Sequence, residues 1–327
     1  MSNTVKWKTA AVVLFATTSL VITGVVSAKH FGTWSDPVSM EFTTPGASSD
    51  FNTAYNDGCP IQAPDGLSFY MASNRPGGLG GQDIWVARRE NYGDPWGAPV
   101  NLGAPVNSAF DDFCPTPVLG QGLFFVTARP SGTSRVSTSC GGADIHFTRL
   151  GRDGWEEPRN LGCHINSSAG EASPSYFEDD AGNSILYFSS NRTGGFEPGG
   201  SDSDIYYSVN FGPAQLAPGI NTAQNDFRPN VRKDGREIVF DSDRPMGLGG
   251  FDIWTSLRSS SSDEWPAAAN VLTVNTSANE TRPSLSWDGE QLVFGSNRFG
   301  VEGPAPGTTN LQADIFVSIR PRIRGSR

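Results

Sequence analysis

The 327-residue sequence predicts an all-β protein assembled from five copies of one four-stranded unit. Three observations predict it. Gly and Pro are frequent, at 38 and 23 residues, and few windows favour long helices, while 37% of the chain is hydrophobic and 11% aromatic, enough to build a core. A ten-residue pattern ending in proline recurs five times. Each copy is followed by a similar succession of short apolar runs and turn residues, the mark of a repeat architecture.

The pattern runs from Phe51 to Pro60 and from Val106 to Pro115, which match almost position for position, then from Ile165 to Pro174, Ile220 to Pro229 and Val274 to Pro283. The anchor prolines are 55, 59, 55 and 54 residues apart. After each comes a short β run and a turn at Asp65-Gly66, Gln121-Gly122, Ala181-Gly182, Asp234-Gly235 and Asp288-Gly289, the hairpin signal. A second strand ends at Arg75, Arg129, Arg192, Arg244 and Arg298. After a Gly-rich loop, a third opens with Asp-Ile at Asp83, Asp144, Asp204, Asp252 and Asp314. Trp96, Trp155 and Trp265, each followed by proline within three residues, announce a fourth strand, for which the third repeat substitutes Phe211-Gly212-Pro213.

Four short antiparallel strands per unit, with neighbours needed to cover both faces, describe a five-bladed β-propeller. The repeats lie near 51–105, 106–164, 165–219, 220–273 and 274–320. The fifth stops after its third strand and lacks a Trp-Pro strand. The missing piece stands at the other end, in Trp34 to Pro37 and the run 34–42, so the N-terminal strand is expected to close the last blade.

Ahead of this domain, which spans 29–327, residues 1–28 carry Lys6 and Lys8, an apolar run from Ala10 to Val26 and a small-residue end at Val26-Ser27-Ala28. This is the pattern of a signal peptide. At 17 residues the run is also long enough for an uncleaved anchor, the only expected membrane attachment. The protein is therefore expected outside the cytoplasm, periplasmic or extracellular, as a monomer. A formal charge of −10 argues against nucleic acid as a partner, because phosphate binding draws on clustered Lys and Arg.

The motifs Ala63-Pro64-Asp65-Gly66, Ala72-Ser73-Asn74-Arg75 and Asp83-Ile84-Trp85, echoed from Lys233 to Trp254 and from Trp287 to Phe316, resemble the WD40-like PD40 repeats found in the propeller of TolB. The resemblance covers the chain from about Trp34 onward and implies a propeller that serves as a protein-interaction platform. TolB members carry an additional N-terminal domain for which this chain has no room.

Candidate site residues follow from the repeat. Three positions before each anchor proline stands an acid, Asp57, Asp112, Glu171, Asp226 or Glu280, expected to ring one mouth of the channel together with Arg228 and Arg282. Such a ring would take a cation or polar ligand, or else cap its own tight loops. Arg75, Arg129, Arg192, Arg244 and Arg298 are expected to pair with the Asp-Ile aspartates Asp83, Asp144, Asp204, Asp252 and Asp314. No cofactor is expected; besides the acidic ring, Asp202 and Asp204 are a Ca²⁺ alternative, without the full spacing of a calcium loop. The Gly-rich loops at 77–81 and 247–250 lack the lysine and helix of a P-loop. Cys59 and Cys114 share a repeat position in adjacent blades, and Cys140 and Cys163 lie in loops on one face. Those two pairings are preferred among the three that four cysteines allow. His146 reads as strand packing. Tyr55, Phe196, Phe251 and Phe299 sit in or beside loops of the same face.

These features give a binding or scaffold module for a protein or an envelope glycan, acting through its loop-rich face. The alternative is a secreted glycoside hydrolase using the channel-mouth carboxylates, although such chemistry needs two acids in different environments and five near-equivalent ones supply no such asymmetry. A third option is a purely structural domain on an uncleaved anchor.

Overall fold

The computed structural model describes residues 31–42, 50–130, 139–197, 200, 202–298 and 313–323. The expected signal sequence and Phe299 lie outside them. Strand β1 (Val38–Ser39) and a 3₁₀ turn (Met40–Phe42) precede the first blade, β2 (Asp57–Gln62), β3 (Ser68–Ser73), β4 (Asp83–Arg88) and β5 (Val100–Asn101). Blade two holds β6 (Asp112–Val118), β7 (Gly122–Thr127), β8 (Asp144–Gly151), β9 (Gly154–Trp155) and β10 (Arg159–Asn160). Blade three is β11 (Glu171–Glu178), β12 (Ser184–Ser190), β13 (Asp204–Val209) and β14 (Gln215–Leu216). Blade four is β15 (Asp226–Val231), β16 (Glu237–Ser242), β17 (Asp252–Leu257) and β18 (Ala269–Asn270). Blade five is β19 (Glu280–Leu285), β20 (Gln291–Ser296) and β21 (Asp314–Ile319). All pairings within the blades are antiparallel, and β1 pairs with β21 through Val38 and Val317. The five-bladed propeller, closed by the N-terminal strand, is thus the observed fold. Among the described residues no helix is long and apolar enough to cross a membrane.

The repeat dictates the packing. One position of the second strand, Met71, Phe125, Phe188, Phe240 and Phe294, is fully buried in all five blades, as is the isoleucine of each Asp-Ile pair. Each such side chain contributes roughly 2–3 kcal/mol by leaving water. The asparagine that opens each repeat staples neighbouring blades. Asn107 takes the amide and the carbonyl of Ile84 at 2.9 Å each, and Asn166, Asn221 and Asn275 do the same to Ile145, Ile205 and Ile253. Asn52 closes the ring by holding Ile315 in this way, at 2.6 and 3.1 Å.

The Gly-rich loops serve the same interfaces. A Cβ on Gly80 or Gly249 would stand 2.2 or 1.8 Å from the carbonyl oxygen of Phe110 or Ala278 in the next blade. Only glycine allows that approach. In blade two the hairpin turn falls one residue earlier than expected: Gly120 and Gln121 take the positive φ angles, 76° and 64°, and Gly122 begins β7.

Below the ring, Arg320 closes the circle a second time. Its guanidinium lies 3.9 Å from the centroid of Phe31 and 4.2 Å from that of Trp34, and bonds Glu237 of blade four at 2.8 and 2.6 Å.

Candidate functional site

The five acids lie where the repeat puts them, at the first residue of each innermost strand, but they are no open ring. All are at most 1% exposed. Each carboxylate accepts from the guanidinium of its own blade: Arg75 to Asp57 at 2.6 Å, Arg129 to Asp112 at 2.8 Å, Arg192 to Glu171 at 3.0 Å, Arg298 to Glu280 at 3.1 Å, and Arg244 to Asp226. Each also accepts the amide and hydroxyl of a Ser or Thr four residues earlier, as Thr53 does for Asp57 at 2.7 Å twice. Burial raises the carboxyls of Asp112 and Glu171, against the pull of these partners.

The expected pairing of those arginines with the Asp-Ile aspartates is therefore corrected. The arginine turns back over the innermost strand, where its Nε reaches Ser73, Thr127, Ser190, Ser242 or Ser296 and its Nη2 the buried acid. In blades one to four the aspartate of the third strand anchors the Gly-rich loop instead. Asp83 accepts from the amide of Leu79, Asp144 from Cys140 at 2.7 Å, Asp204 from Phe196 at 2.8 Å, and Asp252 from Leu248. Asn101, Asn160 and Asn270 donate to three of them. Asp314 pairs with Ser296 in the ladder of blade five.

Burial, with Asp202 and Asp226 nearby, pushes the Asp204 carboxyl up to about 6. Among the described residues no three His, Cys, Asp or Glu side chains gather as a metal site. His146 is fully buried in β8, and burial lowers it to about 4.

Both disulfides form as preferred, Cys59–Cys114 and Cys140–Cys163. They agree with an oxidising compartment outside the cytoplasm.

The residue before each anchor proline has a left-handed backbone, with φ from 47° to 55° at Cys59, Cys114, Ser173, Arg228 and Arg282. Each innermost strand is bulged there, and all five residues line the channel. The first disulfide takes two of the five places. Arg228 bonds the fully buried Asp241 at 2.6 Å. Asp241 is the group that sequence reasoning missed. The signal was present, since the residue before the second-strand Ser or Thr is Ala72, Val126, Ser189 and Gly295 in the other blades and is charged only in blade four.

One of several ligand-sized concavities lies on the face opposite the Gly-rich loops, where the turns of blades two, three and four meet, and four aromatic rings line it, against three and two in two others of its size. It measures about 460 Å³, within the range of small-molecule sites. Phe124 forms its floor. Around it stand Phe147, Tyr176 and Phe211, with ring centroids 4.7, 5.5 and 6.0 Å from that of Phe124. Tyr176 and Phe211 face each other almost parallel, 6° apart in plane and 6.3 Å in centroid.

Phe211 reaches this place through a turn in which it and Asn210 both have positive φ, 56° and 50°. A bulky residue rarely adopts that conformation, and such strain gathers at functional positions. His164 Nε2, next to Cys163, lies 2.9 Å from the Phe211 carbonyl and holds the turn. Arg149, Glu178 and Lys233 form the polar rim. Tyr176 donates to Glu178 at 3.1 Å and lies 3.0 Å from the Ser184 hydroxyl. Lys233 stands over Tyr176 on one side and, at 4.4 Å, over Trp287 on the other. Burial lowers its ammonium against the opposing pull of Glu178. Of the loop aromatics expected at a site, Phe196 is half exposed, and Phe251 packs on Phe227. Neither joins this groove, which sequence reasoning missed because three separate blades supply it.

No known family profile matches the chain, and no curated protein does. Solved structures do. An α-L-arabinofuranosidase from Lactobacillus brevis is 12% identical, with 82% of this chain and 93% of that one covered at a TM-score of 0.50. A putative TolB from Agrobacterium tumefaciens is 16% identical over 76% and 73%, at 0.45, and an endo-arabinanase from Bacillus licheniformis 15% identical over 82% and 95%, at 0.46. The first likeness supports the fold alone.

Proposed function

We propose that this protein is an exported, non-catalytic binding module that seats a cell-envelope glycan in the groove between blades two and three. The observation that carries the reading is the four-ring groove itself, with Tyr176 and Phe211 parallel and a rim of two cations and one carboxylate. Aromatic faces receive the C–H faces of sugar rings, while Lys233 and Arg149 suit an acidic substituent. Hydrolysis would require two carboxyls flanking one bond. The groove lining contains one, Glu178, and the repeat acids are buried in ion pairs. This reading moves the working surface from the loop-rich face to the opposite one.

The test is calorimetric titration of the mature chain, residues 29–327, with neutral and acidic envelope glycans. Phe211→Ala and Tyr176→Ala should each weaken binding at least tenfold, since hot-spot aromatics contribute about 2 kcal/mol or more. Unchanged affinity in both variants would refute the groove. Binding of none of the glycans would refute the glycan reading and turn the search to a protein partner.

A further inference from the structure

The channel is a second site of different chemistry. At its waist, Arg228 and Arg282 enter from blades four and five beside one carboxylate, Asp241. Asp241 is fully used: Oδ2 takes the Arg228 guanidinium at 2.6 Å, and Oδ1 takes the backbone amide of Arg282 at 2.9 Å. The Arg282 guanidinium is left over. It crosses to blade one, where Nη1 stands 3.3 Å from the position a Cβ on Gly58 would occupy. Among the described residues, no carboxylate lies within ion-pair distance of it. Burial, then the neighbouring Arg228, lowers its pKa to about 10 despite Asp241.

Two guanidinium ions against one carboxylate leave a net charge of about one inside a protein-lined channel that water reaches only in part, and a charge held there without a counter-ion costs stability. Blades one to three answer it with no acid at this level, offering Cys59, Cys114 and Ser173. The free space here is about 30 Å³, room for a small ion or one or two waters but not for a chain or a sugar.

We infer that the channel is a binding site for a small monovalent anion of halide or formate size, held between Arg282 and Arg228. Such an ion would complete the charge balance that Asp241 half supplies, and would tie blade four to blade five at the channel. The site is independent of the aromatic groove.

The test follows the thermal unfolding midpoint of the mature chain at constant ionic strength, as chloride or formate replaces bulky gluconate. Ligand binding to the native state raises the midpoint with concentration. For a chain of this size, each tenfold rise in chloride above saturation adds about 2 °C or more. Arg282→Met should abolish the dependence, and Arg282→Lys should keep part of it. Asp241→Asn, which doubles the excess positive charge, should tighten the site and move the onset of the dependence to lower chloride. Formate acting where chloride does not would assign the site to carboxylates rather than halides, still within the inferred class. An equal response in wild type and Arg282→Met, or no response in wild type, would overturn the inference. Should Arg282→Met fail to fold, bromide soaked into wild-type crystals reads the same question through anomalous scattering. A peak between the two guanidiniums supports the site, and its absence there rejects it.

Discussion

Replacing Asp57 by Asn separates a structural acid from a ligand-binding one. Asp57 is completely buried, and its oxygens accept from Arg75 at 2.6 Å and from the amide and hydroxyl of Thr53 at 2.7 Å. The Arg75 side chain is 8% exposed, so removing the carboxylate charge strands a guanidinium that water scarcely reaches. Breaking a buried pair in this way costs about 3–5 kcal/mol. In a chain of this length that is a fall of about 5–8 °C in the unfolding midpoint. Arg75→Met should cost a similar amount by stranding the carboxylate instead. The double variant should cost less than the sum, with a coupling of about 2 kcal/mol or more. Urea unfolding of the four proteins reads the cycle. A loss below about 1 kcal/mol for Asp57→Asn, with no coupling to Arg75, would refute the structural assignment and return the acids to a ligand ring.

Reduction of the disulfides should destabilise in proportion to the loops they close. Breaking Cys59–Cys114, across a separation of 55 residues, should cost about 4 kcal/mol and Cys140–Cys163, across 23, about 3 kcal/mol, read from paired Cys→Ser variants. Asn52→Ala should cost about 2–5 kcal/mol in urea unfolding, because it leaves the amide and carbonyl of Ile315 buried without a partner. His146 titrates near 4 in the fold against 6.5 unfolded, so the unfolded chain takes up the proton first as pH falls. Up to about 3 kcal/mol of stability, present above pH 6.5, should be lost towards pH 4. His146→Phe should remove that loss. Asp204, raised to about 6 from 3.8, acts in the opposite sense, gaining stability as pH falls through that window, so the variant should expose the gain in unfolding curves measured from pH 7 to 4.

The architecture was readable because a repeat states the same constraint five times. The spacing of the prolines, the missing fourth strand of the last copy and the spare strand at 34–42 determined blade number and closure. The shared repeat position of Cys59 and Cys114 led to their pairing. The partners of the arginines were not readable. Ser73 and Asp83 face each other across two strands, which makes Asp83 the near choice in sequence. The side chain instead folds back onto Asp57, a step set by burial rather than spacing. Asn52 and its counterparts went unremarked as staples because an asparagine ahead of a tight loop reads as turn chemistry. The groove of Phe124, Tyr176 and Phe211 joins residues from different blades and depends on a left-handed Phe211, which no periodicity announces.

What every blade shares and what single blades alone possess divide the molecule by purpose. The buried acid, its arginine and the stapling asparagine recur around the ring, and the aspartate anchoring a Gly-rich loop recurs in blades one to four. A site built on the acid, its arginine and the asparagine would have to exist five times over, whereas their bonds to one another and to the backbone leave little for a ligand to engage. The departures gather in blades two to five. The blade-two disulfide beside His164 steadies the turn that presents Phe211, and Asp241 with Arg228 and Arg282 charges the channel. Neither group is needed to form a blade, since the other copies do without it. Departures from a repeat that tolerate strain, as at Phe211, or leave a half-buried charge unbalanced, as at Arg282, cost stability that the fold itself does not require. On the two proposed readings binding is the compensating term, and it is of two kinds: flat rings on the outer face, a small anion on the axis. Changing Phe211 should therefore leave the chloride response intact, and changing Arg282 should leave the groove's affinity intact. Loss of both together from either variant would mean that the two sites are one coupled unit.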